Sequence, residues 1–365
     1  MFVRLWKYMI VLTLLMVGTL LASLQPSHTL VARAQSYTSS IAEFSVPTGS
    51  NPWGTTIDAQ GAIWVALPGC DPNPQCAPGT PPGKLAVFDS TTRNWIKTIS
   101  LPAQYGQALF LAFDRSGNLW FPMPTTNTLG RYNPGTNTFS QWTIPTPDAS
   151  PWDVAVDGHG MIWLTEHYIN KIAAFNPATQ RFQEIATPVT NSQPYGITVD
   201  ASNDVWFTEN NDAVALIGEY TAQGMLQEYK IRTTPTSGSG LTPHQITVDS
   251  KGNIWWSEGW ASGIGMLNVA QARPGTNNGV KEYLYTPPCI LCGSHTSGIS
   301  IDSNGLVWFD DALQGLVGSM PITGGAFTFY HPPTFDSHPH DGLRVDAANH
   351  VWFDEEFADK LGMIQ

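Results

Sequence analysis

The fold of this chain is decided by a stretch in its middle, GITVDASNDVWFTE at residues 196–209. Two short runs of β-branched and aromatic residues, 196–199 and 205–208, flank a D-x-x-N turn. An aspartate that caps the turn backbone, followed by a residue that tolerates positive φ, is typical of a β-hairpin. We therefore predict two antiparallel strands joined by this turn.

The same hairpin pattern occurs seven times along the chain. Its tryptophan recurs at intervals of 43 to 56 residues, as Trp64, Trp120, Trp163, Trp206, Trp255, Trp308 and Trp352. A turn aspartate stands six residues before each, as Asp58, Asp114, Asp157, Asp200, Asp249, Asp302 and Asp346. Two further strand-like runs follow, for example at 171–175 and 182–185. Four antiparallel strands repeated seven times predict an all-β fold, a seven-bladed β-propeller.

The two ends of the repeat region fit a closed ring. The last unit stops after its third strand, at residues 360–364, and has no fourth. A run at residues 41–47 precedes the first unit and reads like the fourth strands elsewhere. We expect this N-terminal strand to close the last blade, because pairing removes two open sheet edges. The prediction is a single propeller domain over residues 41–365.

Composition narrows the function classes. Only 13% of the 365 residues are charged, and 33 glycines, 28 prolines and 14 tryptophans disfavour helix-rich folds. The 42% hydrophobic content excludes a disordered chain. A net charge of -12 repels phosphate backbones, so no nucleic-acid partner is expected. This acidic surface is better suited to a cation, or to a neutral or basic ligand at the propeller mouth, either a small molecule or a cyclic peptide. We expect the protein to be a monomer.

The N-terminus resembles an export signal. Arg4 and Lys7 precede an apolar run over 8–24, and Ala-Arg-Ala at 32–34 forms a cleavage site. We predict a signal peptide over residues 1–34; the alternative is an uncleaved membrane anchor. The mature protein is then secreted, extracellular or periplasmic, with no membrane association after cleavage.

Four cysteines lie in two insertions that depart from the repeat, 68–82 and 270–293. Cys70 and Cys76 are close in sequence, and Cys289 and Cys292 form a C-x-x-C. Two local disulfides fit an exported chain, although four cysteines allow three connectivities. A zinc site is the alternative.

Propeller geometry predicts which side chains meet at one mouth. The inner strand of each blade starts at the face to which the second strand returns. The start positions are Trp53, Leu109, Trp152, Tyr195, His244, Ser297 and, in the last unit, His340 or Asp341; the end positions are Leu67, Met123, Glu166, Glu209, Glu258, Asp311 and Glu355. Five successive carboxylates at one mouth would repel each other unless a cation or hydrogen-bond donors compensate. A divalent cation with oxygen and imidazole ligands is one solution, and a solvated acidic rim is the other.

Histidines concentrate in the last three units. Five lie near the predicted junctions: His244, His295, His331, His338 and His340. The H-x-H of 338–340 precedes the last inner strand, and acidic residues 354–356 stand at its return. Imidazoles beside carboxylates suit metal binding or general base catalysis near neutral pH, although any single histidine could be structural.

At these residues the sequence resembles the virginiamycin B lyase (streptogramin lyase) family of seven-bladed propellers. The most similar stretches are PYGI at 194–197 with WFTE at 206–209, and PHQIT at 243–247 with WWSE at 255–258. The blade pattern is shared with NHL-type and gluconolactonase-like propellers. The resemblance implies a magnesium-dependent lyase that opens the ester of a cyclic depsipeptide by elimination.

The resemblance also implies site residues. The family's last-blade histidine falls on His340, and its glutamate after the tryptophan falls on Glu355. His338 stands where the family has the glutamate of an E-x-H, and Ser297 stands at the histidine of the penultimate blade, with His295 two residues earlier. An alternative match puts that histidine at His244, whose spacing to Glu258 is right.

These matches give a hypothesis for catalysis. Glu355, His338 and Asp311 hold a divalent cation, expected to be magnesium, that polarises a substrate carbonyl. His340 or His295 removes the adjacent Cα proton. Trp53, Trp152 and Tyr195 contact the apolar part of the ligand, near His244 and Glu258. The alternatives are a metal-dependent lactone hydrolase of the gluconolactonase-like type and a non-catalytic binding propeller.

Overall fold

The computed structural model describes residues 40–72, 76–232 and 241–365. The predicted signal peptide over 1–34 lies outside the described residues. Within these ranges the chain forms seven four-stranded antiparallel sheets, and each sheet is one blade. The predicted all-β, seven-bladed propeller is therefore confirmed.

The strands follow the sequence repeat. Blade one contains β2 (Thr55–Ile57), β3 (Ile63–Leu67), β4 (Lys84–Asp89) and β5 (Asn94–Ser100). Blade two contains β6 (Ala112–Phe113), β7 (Leu119–Met123), β8 (Thr128–Asn133) and β9 (Thr138–Thr143). Blade three contains β10 (Pro151–Val156), β11 (Ile162–Glu166), β12 (Lys171–Asn176) and β13 (Arg181–Ala186). Blade four contains β14 (Pro194–Val199), β15 (Val205–Glu209), β16 (Leu216–Tyr220) and β17 (Leu226–Lys230).

The remaining blades have the same order. Blade five contains β18 (Pro243–Val248), β19 (Ile254–Glu258), β20 (Gly263–Leu267) and β21 (Val280–Leu284). Blade six contains β22 (Thr296–Ile301), β23 (Leu306–Asp311), β24 (Leu316–Pro321) and β25 (Thr328–Tyr330). Blade seven contains β26 (Arg344–Val345), β27 (Val351–Glu355), β28 (Lys360–Ile364) and β1 (Ile41–Ser45). Short 3-10 helices follow β7, β11 and β27, at Pro124–Thr126, His167–Ile169 and Glu356–Ala358.

The N-terminal strand closes the ring as predicted. β1 pairs antiparallel with β28, with Ile41 opposite Ile364 and Ser45 opposite Lys360. Glu43 accepts hydrogen bonds from the Lys360 ammonium and from the Thr334 amide and hydroxyl. Blade seven is therefore held by both ends of the described chain.

Each repeated aspartate does more than cap its hairpin turn. In blade four, one Asp200 oxygen accepts the backbone N–H groups of Ser202 and Asp204, and the other accepts the indole N–H of Trp206 at 3.0 Å. The same indole-to-aspartate bond, 2.8–3.1 Å long, occurs in all seven blades. The six-residue spacing in the sequence thus encodes a contact that satisfies a largely buried donor.

The hydrophobic core lies between the blades. One cluster joins Trp206 and Ile217 of blade four to Ile246 and Trp256 of blade five. This packing fixes the rotation of each sheet about the axis, so the inner strands present their ends at the same two faces.

The four cysteines form two local disulfides. Cys70 is bonded to Cys76 and Cys289 to Cys292, with Cα atoms 5.8 and 5.4 Å apart. Among the described residues, no helix is both long and apolar enough to cross a bilayer.

Candidate functional site

A cavity of about 280 Å³ opens on the axis at the predicted mouth. The starts of inner strands, the loops before them and the turns after second strands form its wall. The lining residues are Trp53, Asp71, Trp152, His167, Tyr195, Asn210, His244, Trp260, His295, His338, His340, Glu356 and Phe357. Seven predicted site residues therefore share one cavity, namely Trp53, Trp152, Tyr195, His244, His295, His338 and His340.

One side of the cavity is aromatic. The ring centroids of Trp53 and Trp152 are 6.3 Å apart in an edge-to-face arrangement, and Trp152 lies 5.5 Å from Tyr195. The indole N–H groups of both tryptophans are buried and have no hydrogen-bond partner. This wall therefore offers apolar faces together with two donors for a ligand.

The other side is a chain of imidazoles. Consecutive ring centroids are 4.6 Å apart from His244 to His295, 5.1 Å from His295 to His340 and 5.3 Å from His340 to His338. A fifth imidazole, His167, lies 5.4 Å from Trp152. This row of four imidazoles brings residues of blades five, six and seven within reach of one small molecule.

Hydrogen bonds connect the inner pair of imidazoles to each other and to the backbone. His244 Nδ1 lies 2.8 Å from the Thr242 carbonyl, which can only accept, and 3.0 Å from the Asn210 amide nitrogen, which can only donate. The Nε2 atoms of His244 and His295 are 2.9 Å apart, so one of these rings donates to the other. Burial lowers the pKa of His244 to about 4 and that of His295 well below its usual value, which keeps both rings neutral near pH 7.

The outer pair includes a carboxylate. His338 Nδ1 lies 2.9 Å from Glu356 Oε2, so this ring donates to the carboxylate and keeps a lone pair on Nε2. Phe357 stacks on His338 with ring centroids 4.0 Å apart. Such a partner orients an imidazole.

His340 occupies the centre of the cluster. Its Nδ1 is buried without a hydrogen-bond partner, 3.7 Å from Asp341 Oδ2 and 4.0 Å from Glu356 Oε2. Burial, followed by the neighbouring histidines, lowers the pKa of His340 well below its usual value. A neutral imidazole that faces two acidic groups is suited to accept a proton from a substrate.

The structure does not bring the predicted carboxylates to the mouth. Four of them are fully buried in their own blades, where each faces a glutamate of the outer strand; the pairs are Glu166 with Glu184, Glu209 with Glu228, Glu258 with Glu282 and Glu355 with Glu43. Burial and the neighbouring carboxylate raise the pKa of Glu209 to about 9 and that of the other three inner glutamates to about 8. These groups are therefore protonated acids at neutral pH.

Asp311 also lies outside the cavity lining. It accepts hydrogen bonds from the Tyr285 and Ser294 hydroxyls and from the backbone N–H groups of His295 and Gln314. The last of the five predicted carboxylates thus supports the loop that carries His295.

The predicted metal ligands are consequently dispersed. Of Glu355, His338 and Asp311, only His338 lines the cavity. Among the residues that the structure describes, no group of three His, Cys, Asp or Glu side chains is placed to hold a metal ion. The carboxylates that line the cavity are Asp71 and Glu356, beside His338 and His340. Carboxylate oxygens are the ligands that Mg²⁺ takes in proteins, with water or substrate oxygens completing its shell.

Six cavity residues were not among the predicted site residues: Asp71, His167, Asn210, Trp260, Glu356 and Phe357. His167, Asn210 and Glu356 each follow directly after a buried inner glutamate. Side chains of consecutive strand residues point to opposite sides. Because the glutamates continue the face that packs between blades, the next residue points to the mouth, and this alternation was the available signal.

Comparison with known proteins gives a consistent result. The model of the virginiamycin B lyase family matches residues 83–267. The structure is similar to that of virginiamycin B lyase from Staphylococcus aureus, with a TM-score of 0.75 and 22% identity over 90% of this chain and 99% of that one. It is similar to a streptogramin B lyase structure, with a TM-score of 0.74 and 23% identity over 89% and 97% of the two chains.

A third similar structure is a catalytically inactive histidine-to-alanine variant of the S. aureus virginiamycin B lyase with quinupristin, at a TM-score of 0.75 and 21% identity over 90% and 99% of the two chains. No curated protein matches the sequence.

Proposed function

The chain belongs to the virginiamycin B lyase family, and from this premise we propose that it opens the ester of a cyclic depsipeptide lactone by elimination. The observation that carries the proposal is the convergence of neutral imidazoles, Glu356 and an aromatic wall in one cavity. Elimination requires a base beside an acidic Cα–H and a surface that holds the macrocycle in register.

His340 is the proposed base. Its imidazole takes the Cα proton, the electron pair of the Cα–H bond forms a Cα=Cβ double bond, and the bond from Cβ to the ester oxygen breaks. The carboxylate leaves, and the product is a linear peptide with the same atoms as the lactone. The imidazolium formed on His340 is stabilised by Glu356, whose Oε2 is 4.0 Å from Nδ1. Burial raises the pKa of Asp341, 3.7 Å from the same atom, well above its usual value.

The aromatic wall binds the apolar part of the ring. Trp53 and Trp152 present faces and free indole N–H groups, and the latter donate to peptide carbonyls of the substrate. Tyr195 is fixed by a 2.5 Å hydrogen bond from its hydroxyl to Asp341 Oδ2. This bond connects the binding wall to the residue beside the proposed base.

A divalent cation remains part of the proposal, since the resemblance implies magnesium. Glu356 and His338 would hold it, with His340 Nδ1 adjacent. When bound, the cation would polarise the carbonyl next to Cα and so acidify the Cα–H.

We also propose that the protein is secreted and acts as a monomer. The two disulfides support an oxidising compartment. The N-terminal residue of the protein recovered from the medium tests the cleavage site: a start at Gln35 is expected, and retention of residues 1–34 in a membrane fraction would contradict secretion.

The activity is tested by product mass. The purified protein is incubated with quinupristin, with and without Mg²⁺, and the product is identified by mass spectrometry. A ring-opened product of unchanged mass is expected. It should be absent with the His340→Ala variant. It should still form with His159→Ala, a matched control at the hairpin turn of blade three on the opposite face. A product heavier by one water would identify a lactone hydrolase instead. Binding without turnover would identify a binding propeller.

A further inference from the structure

A second cavity lies on the propeller axis at the face opposite the histidines. It measures about 350 Å³, and residues from all seven blades line it. Ala155, Thr198 and Thr247 in its wall come three residues after Trp152, Tyr195 and His244 at the mouth, along the same inner strands. The two cavities share no lining residue.

One layer of this axial cavity has an unusual composition. The inner-strand residues that pair with the seven repeated tryptophans face the axis there: Thr56, Ala112, Ala155, Thr198, Thr247, Ser300 and Arg344. Four hydroxyl groups and one guanidinium thus surround a space that two alanines keep open. A passive apolar plug would not require these donors.

The wall of the axial cavity contains one positive and one negative side chain. Arg344 and Asp153 are the two charged lining residues. Both Asp153 oxygens accept backbone N–H groups, from Val154 at 2.7 Å and Ile197 at 3.0 Å, and Arg344 Nη1 donates to the Leu343 carbonyl at 2.7 Å. In the described part of the chain no carboxylate lies within 4.0 Å of the Arg344 guanidinium.

A buried amide adds a further donor. Gln245 is only 3% exposed and lines the cavity; its Nε2 lies beside Asp153 but makes no hydrogen bond of good geometry. An unsatisfied buried donor is costly, and a ligand or ordered water would remove that cost. The guanidinium, the amide and the hydroxyls therefore form a polar site whose opposite charges are not in contact with each other.

We propose that the axial cavity binds a small zwitterion with one carboxylate and one ammonium group, such as a free amino acid. The carboxylate accepts hydrogen bonds from Arg344 and Gln245, and the ammonium group lies toward Asp153. A simple anion would be repelled by Asp153, and a simple cation would be repelled by Arg344. The site is independent of the activity proposed for the mouth.

Calorimetric titration and thermal unfolding test the proposal, with glycine, L-alanine and L-serine as probes and with acetate and methylammonium as single-charge controls. At least one amino acid should bind and raise the unfolding midpoint, because a ligand of the folded state stabilises it. Both single-charge controls should bind at least about tenfold more weakly, since each is attracted by one of the two buried charges and repelled by the other. Equal binding of acetate would overturn the zwitterion assignment, and no binding of any amino acid would overturn the site.

Two variants locate the binding. Arg344→Gln should weaken it at least about tenfold, whereas Arg115→Gln, which changes an exposed arginine at the hairpin turn of blade two, should not. Ala155→Leu fills the cavity and leaves its charges intact, so it should abolish binding in a folded protein even if Arg344→Gln fails to fold. Binding that survives Ala155→Leu would put the ligand elsewhere and refute the proposal.

Discussion

Replacing Glu209 with glutamine should make the propeller less sensitive to rising pH. Glu209 is fully buried in blade four and faces Glu228. Burial, followed by the repulsion of Glu228, raises the pKa of Glu209 from the ordinary 4.5 to about 9. Between pH 4.5 and pH 9, Glu209 is protonated in the folded protein and ionised in the unfolded chain. The stabilising effect of protonated Glu209 is therefore complete below pH 4.5 and is lost as the pH rises toward 9.

The size of the effect follows from one proton. The free energy of unfolding of the wild type should fall by about 1.4 kcal/mol per pH unit through Glu209 alone. Glutamine does not titrate, and its amide N–H can donate to Glu228 as the protonated acid does. Over two pH units between pH 4.5 and pH 9, the free energy of unfolding of Glu209→Gln should therefore rise by about 2.7 kcal/mol relative to that of the wild type.

Urea denaturation at a series of pH values, followed by tryptophan fluorescence, measures this difference. Asp148→Asn is the control, since it removes an exposed carboxylate at a loop, and its stability should follow the wild type at every pH. Parallel curves for the wild type and Glu209→Gln would show that Glu209 is ionised in the folded protein, and the argument for protonated glutamate pairs would fail.

Three further predictions concern the scaffold, each measured as a loss in the free energy of unfolding. Asp200→Ala should cost about 1–3 kcal/mol, because the buried Trp206 indole N–H loses its acceptor; a loss no greater than that of Lys251→Ala, a control at an exposed residue of another hairpin turn, would contradict this. Gly218→Ala should cost about 1–3 kcal/mol, since a Cβ there would overlap the Phe207 ring, and unchanged stability would mean that the ring moves aside. Deleting Ile41–Ser45 should cost more than about 4 kcal/mol, because blade seven loses its outer strand; an unaffected urea midpoint would show that ring closure is dispensable.

The fold was readable from the sequence because its signals repeat. The aspartate and tryptophan of each hairpin contact each other directly, so their spacing is constant in all seven blades even where the loops differ in length. The closing strand was also predictable. The last unit lacks a fourth strand and an extra strand precedes the first unit, so pairing these two ends is the arrangement that removes both open sheet edges.

The site was predicted less well, for reasons that concern single residues. The inner strands begin at the axis irrespective of loop length, so the positions of Trp152, Tyr195 and His244 at the mouth were predicted. The ends of second strands depend on which side chain of an alternating pair faces the mouth. Glu355 and Glu356 are both acidic, so their residue type alone does not show which one faces the mouth; the 3-10 helix that begins at Glu356 turns the second one toward His338.

The pairing of β1 with β28 also constrains how the molecule is made. Residues 41–45 leave the ribosome before any other part of the propeller, yet their partner is the last strand to be synthesised. Throughout translation the nascent chain therefore carries an apolar strand with an unpaired edge, which is exposed to aggregation until β28 has been synthesised. A chain that stalled before residue 360 would contain most of its blades but would lack the strand with which β1 pairs to close the ring.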